Sequence, residues 1–290
     1  MKTIDSINPK TQLCGIIGNP VGHSMSPALH NRGFDVCDLD FVYVAFRVEA
    51  GNVRAALEGM RALENFRGLS VTIPHKTAAV ECVDDISKVD AAIGSINTII
   101  NENGRLRGLG SDGPGARKAL LDSDLDPTGR TVTILGTGGA SRAIAFDLVH
   151  HTPPERLILC GIVKEELETL ALNVADTTAV PVESILIEDA ALKAAVLKSE
   201  LLINTTPVGM HPQTDATPVP ESFLHKDLGI MDIVYNPLQT RLLREGAALG
   251  VKTVSGLEMF VNQAVIQFEA WTGHTAPREA MRDIVLQKIK

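Results

Sequence analysis

No run or stripe of basic residues occurs anywhere in this 290-residue sequence, and acidic residues outnumber basic ones, 35 to 27, for a formal net charge of -8. Binders of nucleic acid neutralise phosphates with clustered Lys and Arg, so that partner class is set aside. Also missing is any stretch near the roughly 20 uninterrupted apolar residues that a membrane span requires, and the start, MKTIDSINPKTQ, has no apolar core segment. The expectation is a soluble, cytoplasmic protein with no signal peptide and no membrane partner. Cysteine is sparse. Cys14, Cys37, Cys82 and Cys160 stand far apart, with no CxxC or CxxH pair, which argues for free thiols in a reducing compartment over a disulfide scaffold or structural zinc. The eight histidines and the carboxylates never fall into a ligand spacing, so no metal is expected. Internal repeats and low-complexity segments are missing too.

What is present suits a globular chain. Apolar residues make up 44% and charged ones 21%, enough to bury a substantial core in about two units of ordinary domain size. Short Val- and Ile-rich runs at 13–17 and 41–46 alternate with a helical pattern at 53–63. A second such rhythm begins at Thr131, with strands expected at 131–135, 156–159 and 201–204 and a helix through 144–149. The fold class is therefore α/β with two domains. GLGSDGPGA, 108–116, carries four glycines and a proline and is the candidate hinge or cleft-lining connection, which places the domains at 1–113 and 114–254. Beyond Val254 the strand pattern stops. Residues 257–271 read as a long helix with one buried face, and 255–290 is expected to return to the first domain.

TVTILGTGGASRAIAFDLV sets Gly136, Thr137, Gly138, Gly139 and Ala140 between a strand and a helix, where backbone N–H groups can approach a pyrophosphate. Ser141 stands at the third fingerprint position in place of Gly or Ala, while Ala140, Ala143 and Ala145 permit close helix packing on the strands. The turn reads as dinucleotide-binding. Cofactor choice is written at the end of the following strand, LILCGIVKEE, where Cys160 and Gly161 offer neither an acid for a ribose diol nor an arginine for a 2′-phosphate. Lys164, Glu165 and Glu166 open a helix there. With no guanidinium fork, NAD is expected over NADP.

GNPVGHSMSPALHN places Ser26 immediately before Pro27, read as a Ser N-cap with Pro at the first helical position. Hydroxyls of Ser24 and Ser26 and the free N–H groups of that helix can grip a carboxylate. His23 and His30 read as loop and helix-face residues. In GLSVTIPHK, Thr72 and Lys76 flank Pro74 at a strand end, and a partly desolvated Lys76 paired with Asp112 can relay a proton near neutral pH.

Eight segments in order, GNPVGHSMSP, SVTIPHK, GSINTI, SDGPG, GTGGASRAI, INTTPVGM, DIVYNPLQT and GLEMFVNQA, resemble the shikimate dehydrogenase family across nearly the whole chain. The resemblance implies an N-terminal α/β substrate domain completed by the C-terminal helices, and a Rossmann-like NAD(P) domain between them. It implies that Lys76 is the general acid/base with Asp112 as its acidic partner. Ser24, Ser26 and Tyr235 then hold the substrate carboxylate, and Thr72, Asn97 and Gln263 the ring hydroxyls. On the cofactor side it implies Asn204, Thr205, Thr206, Val208 and Met210 beside the nicotinamide, with Gly256 lining the same pocket and Cys160 near the adenosine end. The partner is a small cyclic hydroxy acid, bound by a monomer or homodimer.

Three positions depart from the family pattern. Ser70 stands where Asn is usual, Gly110-Ser111 where Asn-Thr is usual, and Cys160-Gly161-Ile162 near the family's Asn-Arg-Thr phosphate clamp. Lost amides shift the expectation toward shikimate or a relative such as quinate or an amino-substituted analogue. A regulatory protein that keeps cofactor binding without turnover is the reading from another class, and a folate-linked dehydrogenase of similar architecture is a third.

Overall fold

The two rhythms of the sequence become two six-stranded sheets in the computed structural model, which describes residues 7–289. In chain order the first half holds β1 (Gln12–Gly18), α1 (Ser26–Val36), β2 (Phe41–Arg47), α2 (Val53–Arg61), β3 (Phe66–Val71), β4 (Asp85–Ile86), α3 (Lys88–Ile93), β5 (Thr98–Glu102) and β6 (Arg105–Leu109). There follow α4 (Asp112–Asp122), β7 (Thr131–Leu135), α5 (Gly139–His151), β8 (Arg156–Gly161), α6 (Lys164–Ala175), β9 (Val182–Leu186), α7 (Asp189–Lys198), β10 (Leu201–Asn204), β11 (Gly229–Asp232), α8 (Arg241–Ala248) and β12 (Thr253–Ser255). Two helices close the chain, α9 (Gly256–Thr272) and α10 (Arg278–Lys288). The residues form two compact units, Met1–Ser111 with Gln263–Lys288, and Asp112–Asn262.

In the first unit the strand order is β2-β1-β3-β5-β6-β4, with β1, β2 and β3 parallel and β5 antiparallel to both β3 and β6. Strand β1 is buried from Cys14 to Gly18 and reads as an unbroken apolar run, as a strand covered on both faces must. Edge strand β2 keeps only Tyr43 fully buried. Ile17, Leu57, Phe66, Leu69 and Ile99 form the centre of the apolar core, with Val53 and Leu57 one helical turn apart on α2. From Gln263 to Lys288 the C-terminal helices belong to this unit. Trp271 donates its indole N–H to the Ile99 carbonyl at 3.0 Å and lies against Gly68, where any side chain would collide with the ring.

The second unit is a parallel sheet in the order β12-β11-β10-β7-β8-β9, so consecutive connections run outward in opposite directions from β7 and β10. That is the doubly wound dinucleotide-binding topology, with its switch point between those two strands. The glycine-rich stretch 108–116 contains the division between the two units, at Ser111/Asp112. It ends β6, turns over Gly110 and Ser111, and enters the first turn of α4. Gly113 is helical because α4 packs there on α5, where an added Cβ would lie 2.5 Å from the Ala143 carbonyl and 2.6 Å from Asp147 Cβ. Gly113 thus serves close packing of the two helices.

Candidate active site

In the second unit, the carboxyl ends of β7 and β10 frame the crevice at which this topology binds dinucleotides. Gly136 leaves β7 at φ +111°, a conformation that disfavours side chains, and a Cβ there would meet Thr205 Oγ1 at 2.6 Å. Gly138 is the N-cap of α5 and faces open space, with no atom within 4 Å of where its side chain would be. The start of α5 is therefore uncovered at Gly138, as close approach of a pyrophosphate to its first backbone amides requires. Ser141, in the usual third glycine position, is fully buried and donates to the Gly136 carbonyl at 2.7 Å, so its hydroxyl pins the turn from inside. These residues fit a dinucleotide.

The loop after β10 is fixed from below. Thr205 N–H and Oγ1 both donate to the Leu135 carbonyl, at 2.9 and 2.5 Å. Asn204 accepts from the Thr206 N–H and hydroxyl at 3.0 and 2.7 Å, and its amide donates to Asp232 Oδ1 at 2.9 Å. Asp232, fully buried, also accepts from the Thr240 hydroxyl at 2.7 Å and from the Val234 N–H at 3.1 Å. Burial pushes its carboxyl up to about 6, against the pull of those bonds. Val208 is half-buried and Met210 exposed, on the rim of the same loop. The sequence reading passed over Asp232, although it opens the DIVYNP segment; the signal was an acid at the end of an apolar strand.

One second-unit expectation changes in detail. Cys160 offers no side chain to a ligand, since it sits at 0% exposure in the apolar cluster with Leu135, Ile158 and Val196, and burial pushes its thiol up to about 12. Its contribution is the carbonyl that accepts the Gly136 N–H at 2.7 Å. Gly256 begins α9 directly against the Ile233 and Val234 backbone, which leaves no room for a Cβ. Tyr235 is half-buried and stacks on Phe260 of α9, ring centroids 4.6 Å apart. Asp112 is 8% exposed at the start of α4.

The first unit gathers the other candidates at the carboxyl ends of β1 and β3. Gly18 ends β1 against the Thr72 side chain, and the Thr72 N–H donates to the Ile17 carbonyl at 3.0 Å. Lys76 follows, half-buried, its carbonyl accepting the Ile96 N–H at 3.0 Å beside Asn97. Ser26 is not the N-cap of α1. Met25 holds that position, Ser26 and Pro27 are the first two helical residues, and Ser24 Oγ accepts the Ser26 N–H at 3.2 Å in a turn two residues wide. Ser26 is 4% exposed and Ser24 half-buried.

Behind these residues lies a polar network inside the apolar core. Tyr43 donates to Ser70 Oγ at 2.6 Å, and Ser70 donates to Gln267 Oε1 at 2.8 Å. Gln267 Nε2 donates to Thr98 Oγ1 and the Asn97 carbonyl, at 2.9 and 3.2 Å. Asn97 Nδ2 reaches Ser111 Oγ at 2.9 Å and Gln263 Oε1 at 3.4 Å, while its Oδ1 accepts the Ser111 N–H at 2.7 Å. Burial drives the Tyr43 phenol well above its usual range, with contacts from Ser70 and Ser26 opposing. Tyr43 thus adjoins the candidate residue Ser26, which its place in β2 signals only once the inward face of that strand is known. Gly110 is explained as well: its N–H donates to Asp90 Oδ1 at 3.0 Å, and a side chain there would strike that carboxylate at 2.8 Å. His30, read as a helix-face residue, is entirely buried and stacked on Tyr43 at 4.5 Å. Among the described residues, no three His, Cys, Asp or Glu gather as a metal site would need, and no helix is long and apolar enough to cross a membrane.

Comparison with known proteins agrees with this architecture. Residues 16–99 match the shikimate dehydrogenase substrate binding domain, and residues 256–286 the shikimate 5'-dehydrogenase C-terminal domain. A shikimate dehydrogenase (NADP(+)) of Methanosarcina acetivorans is 41% identical over 279 residues, covering 95% of this chain and 98% of that protein. A crystal structure of a shikimate dehydrogenase with NADP+ superposes with a TM-score of 0.90 at 36% identity, covering 98% of each chain. Shikimate 5-dehydrogenase of Listeria monocytogenes, in complex with shikimate and NAD, gives 0.89 at 32% identity over 96% of this chain and 98% of that one. With whole-length similarity at this level, and the dinucleotide crevice and polar network in place, the chain belongs to the shikimate dehydrogenase family.

Proposed function

We propose that this chain catalyses reversible oxidation of a ring hydroxyl on shikimate or a close cyclic hydroxy acid, with NAD as its preferred nicotinamide cofactor. The observation that carries the reading is the open Gly138 cradle at the β7–β10 switch point, in a chain related over its whole length to shikimate dehydrogenases. A nicotinamide ring bound beside the Asn204–Met210 loop supplies the hydride acceptor or donor. The rest is the work of the chain. Residues 1–113 with 255–290 serve as the substrate domain, and 114–254 as the cofactor domain.

Lys76 takes the proton of the reacting hydroxyl during oxidation and returns it during reduction, with Asp112 as its acidic partner. Ser24, Ser26 and Tyr235 hold the substrate carboxylate. Thr72, Asn97 and Gln263 bind the ring hydroxyls, and the Tyr43–Ser70–Gln267 network supports Asn97 from behind, through its backbone carbonyl and, by way of the Thr98 hydroxyl, its side-chain Oδ1. Preference for NAD is supported by the strand end at Cys160-Gly161-Ile162, which presents no arginine to a 2′-phosphate. The cytoplasm suits four free cysteines, three of them buried.

Initial rates at 340 nm, with shikimate and quinate each tested against NAD and NADP, decide the matter. Turnover of shikimate with NAD is the expected result. Faster turnover of quinate reassigns the substrate, and faster turnover with NADP overturns the cofactor preference. Silence in all four combinations, with cofactor binding retained, favours the regulatory reading.

A further inference from the structure

Dinucleotide folds of this topology read the adenosine ribose with a side chain at the end of the second strand. Here that place cannot carry one. Gly161 ends β8, and a Cβ there would lie 2.6 Å from Thr137 Cγ2 and 3.4 Å from Leu167 Cβ, so the methyl of the glycine turn already fills the space. The next residue, Ile162, is apolar and 80% exposed. A carboxylate reaches the turn from another direction. Thr137 Oγ1, between the two glycines of the turn, donates to Glu166 Oε2 at 2.8 Å across from the first turn of α6.

We infer that Glu166, oriented by Thr137, selects the cofactor, accepting hydrogen bonds from the vicinal ribose hydroxyls of NAD and repelling the 2′-phosphate of NADP. The inference rests on the proposed dinucleotide reading of this crevice and deepens it. An ionised carboxylate offers about four acceptor positions, so the Thr137 bond leaves capacity for a diol. A dianionic phosphate brought to the same place meets like charge with no guanidinium to offset it. Gly161 and Thr137 thereby exchange roles with the usual strand-end acid: the glycine makes room for the threonine, and the threonine aims the acid from the neighbouring helix.

The test is direct binding, read as dissociation constants of NADH and NADPH from fluorescence titration of the full chain, for wild type, Glu166→Gln, Glu166→Arg and Thr137→Ala. Wild type is expected to favour NADH. Removing the charge in Glu166→Gln should shrink that preference by about tenfold, and Glu166→Arg should reverse it. Thr137→Ala should weaken NADH binding, with Thr137→Ser restoring it. Glu166 is exposed, so its variants should melt with the wild type, which the same samples can show. Tighter NADPH binding by wild type would overturn the NAD preference and this inference together. A wild-type preference for NADH left intact in both Glu166 variants would overturn the role of Glu166 alone.

Discussion

Tyr43 of β2 donates its phenolic hydrogen to Ser70 of β3 at 2.6 Å, with both residues at 5% exposure or less. The resemblance to the family implies an amide where Ser70 stands; here the serine hydroxyl accepts from Tyr43 and donates to Gln267 Oε1. The bond runs on through Gln267 to Asn97, so a departure in one residue is absorbed by a partner 27 positions away.

Ser70→Ala strands two buried groups, the Tyr43 hydroxyl and Gln267 Oε1, and should destabilise the protein by about 1–3 kcal/mol. Tyr43→Phe leaves Ser70 still donating to Gln267, and should cost about 1 kcal/mol. Urea midpoints at constant m check the order; Tyr43→Phe costing more than Ser70→Ala would refute the direction of donation.

Acid should weaken the fold through His30. Neither ring nitrogen has a hydrogen-bond partner, and burial pushes the imidazole from 6.5 down to about 3, with nearby Gln267 opposing. Folded His30 stays neutral while the unfolded residue takes a proton, so its stabilisation is complete above pH 6.5 and drains away as pH falls toward 3, on the order of 3–5 kcal/mol in all. Asp232 acts with the opposite sign. Its raised value favours the folded state below pH 3.8, and that advantage is lost as pH rises through about 6. Stability measured from pH 4 to 7 should therefore rise less steeply in His30→Leu than in wild type, and more steeply in Asp232→Asn. An unchanged slope in both variants refutes these assignments.

Two glycines should separate stability from ligand binding. Gly256→Ala collides with the Ile233 carbonyl and should lower the melting temperature by several degrees, an overpacking cost of about 1–3 kcal/mol. Gly138→Ala meets nothing and has φ -74°, so the fold should tolerate it, yet its methyl projects into the cradle and should weaken dinucleotide binding at least tenfold. Thermal melts and cofactor titrations on both proteins test this; normal binding by Gly138→Ala would remove the cradle from the cofactor site.

Lys76→Ala should lower kcat by about 10²- to 10⁴-fold with little change in dinucleotide affinity. Single-turnover rates alongside NADH titration provide the measurement. Retained turnover would exclude Lys76 as the proton carrier.

Local order was legible in the sequence wherever neighbouring residues generate it. The strand Thr131–Leu135, the glycine turn and helix α5 follow one another within a few residues, so apolar run, glycines and helical pattern announce the whole unit before any packing is known. A helical tail after the last strand was also readable, because the strand pattern ends at a single place. Tertiary structure decided the rest, for reasons of distance and volume. No local pattern announces that Gly113 is pressed on Ala143, and Cys160 looks like a cofactor neighbour until the pleat of β8 turns it into the core. Glu166 reads as a solvated helix start until Thr137, 29 positions earlier, binds it. A sequence fixes what each residue can donate, accept or exclude; which partner lies within 3 Å depends on how the sheets and helices stack.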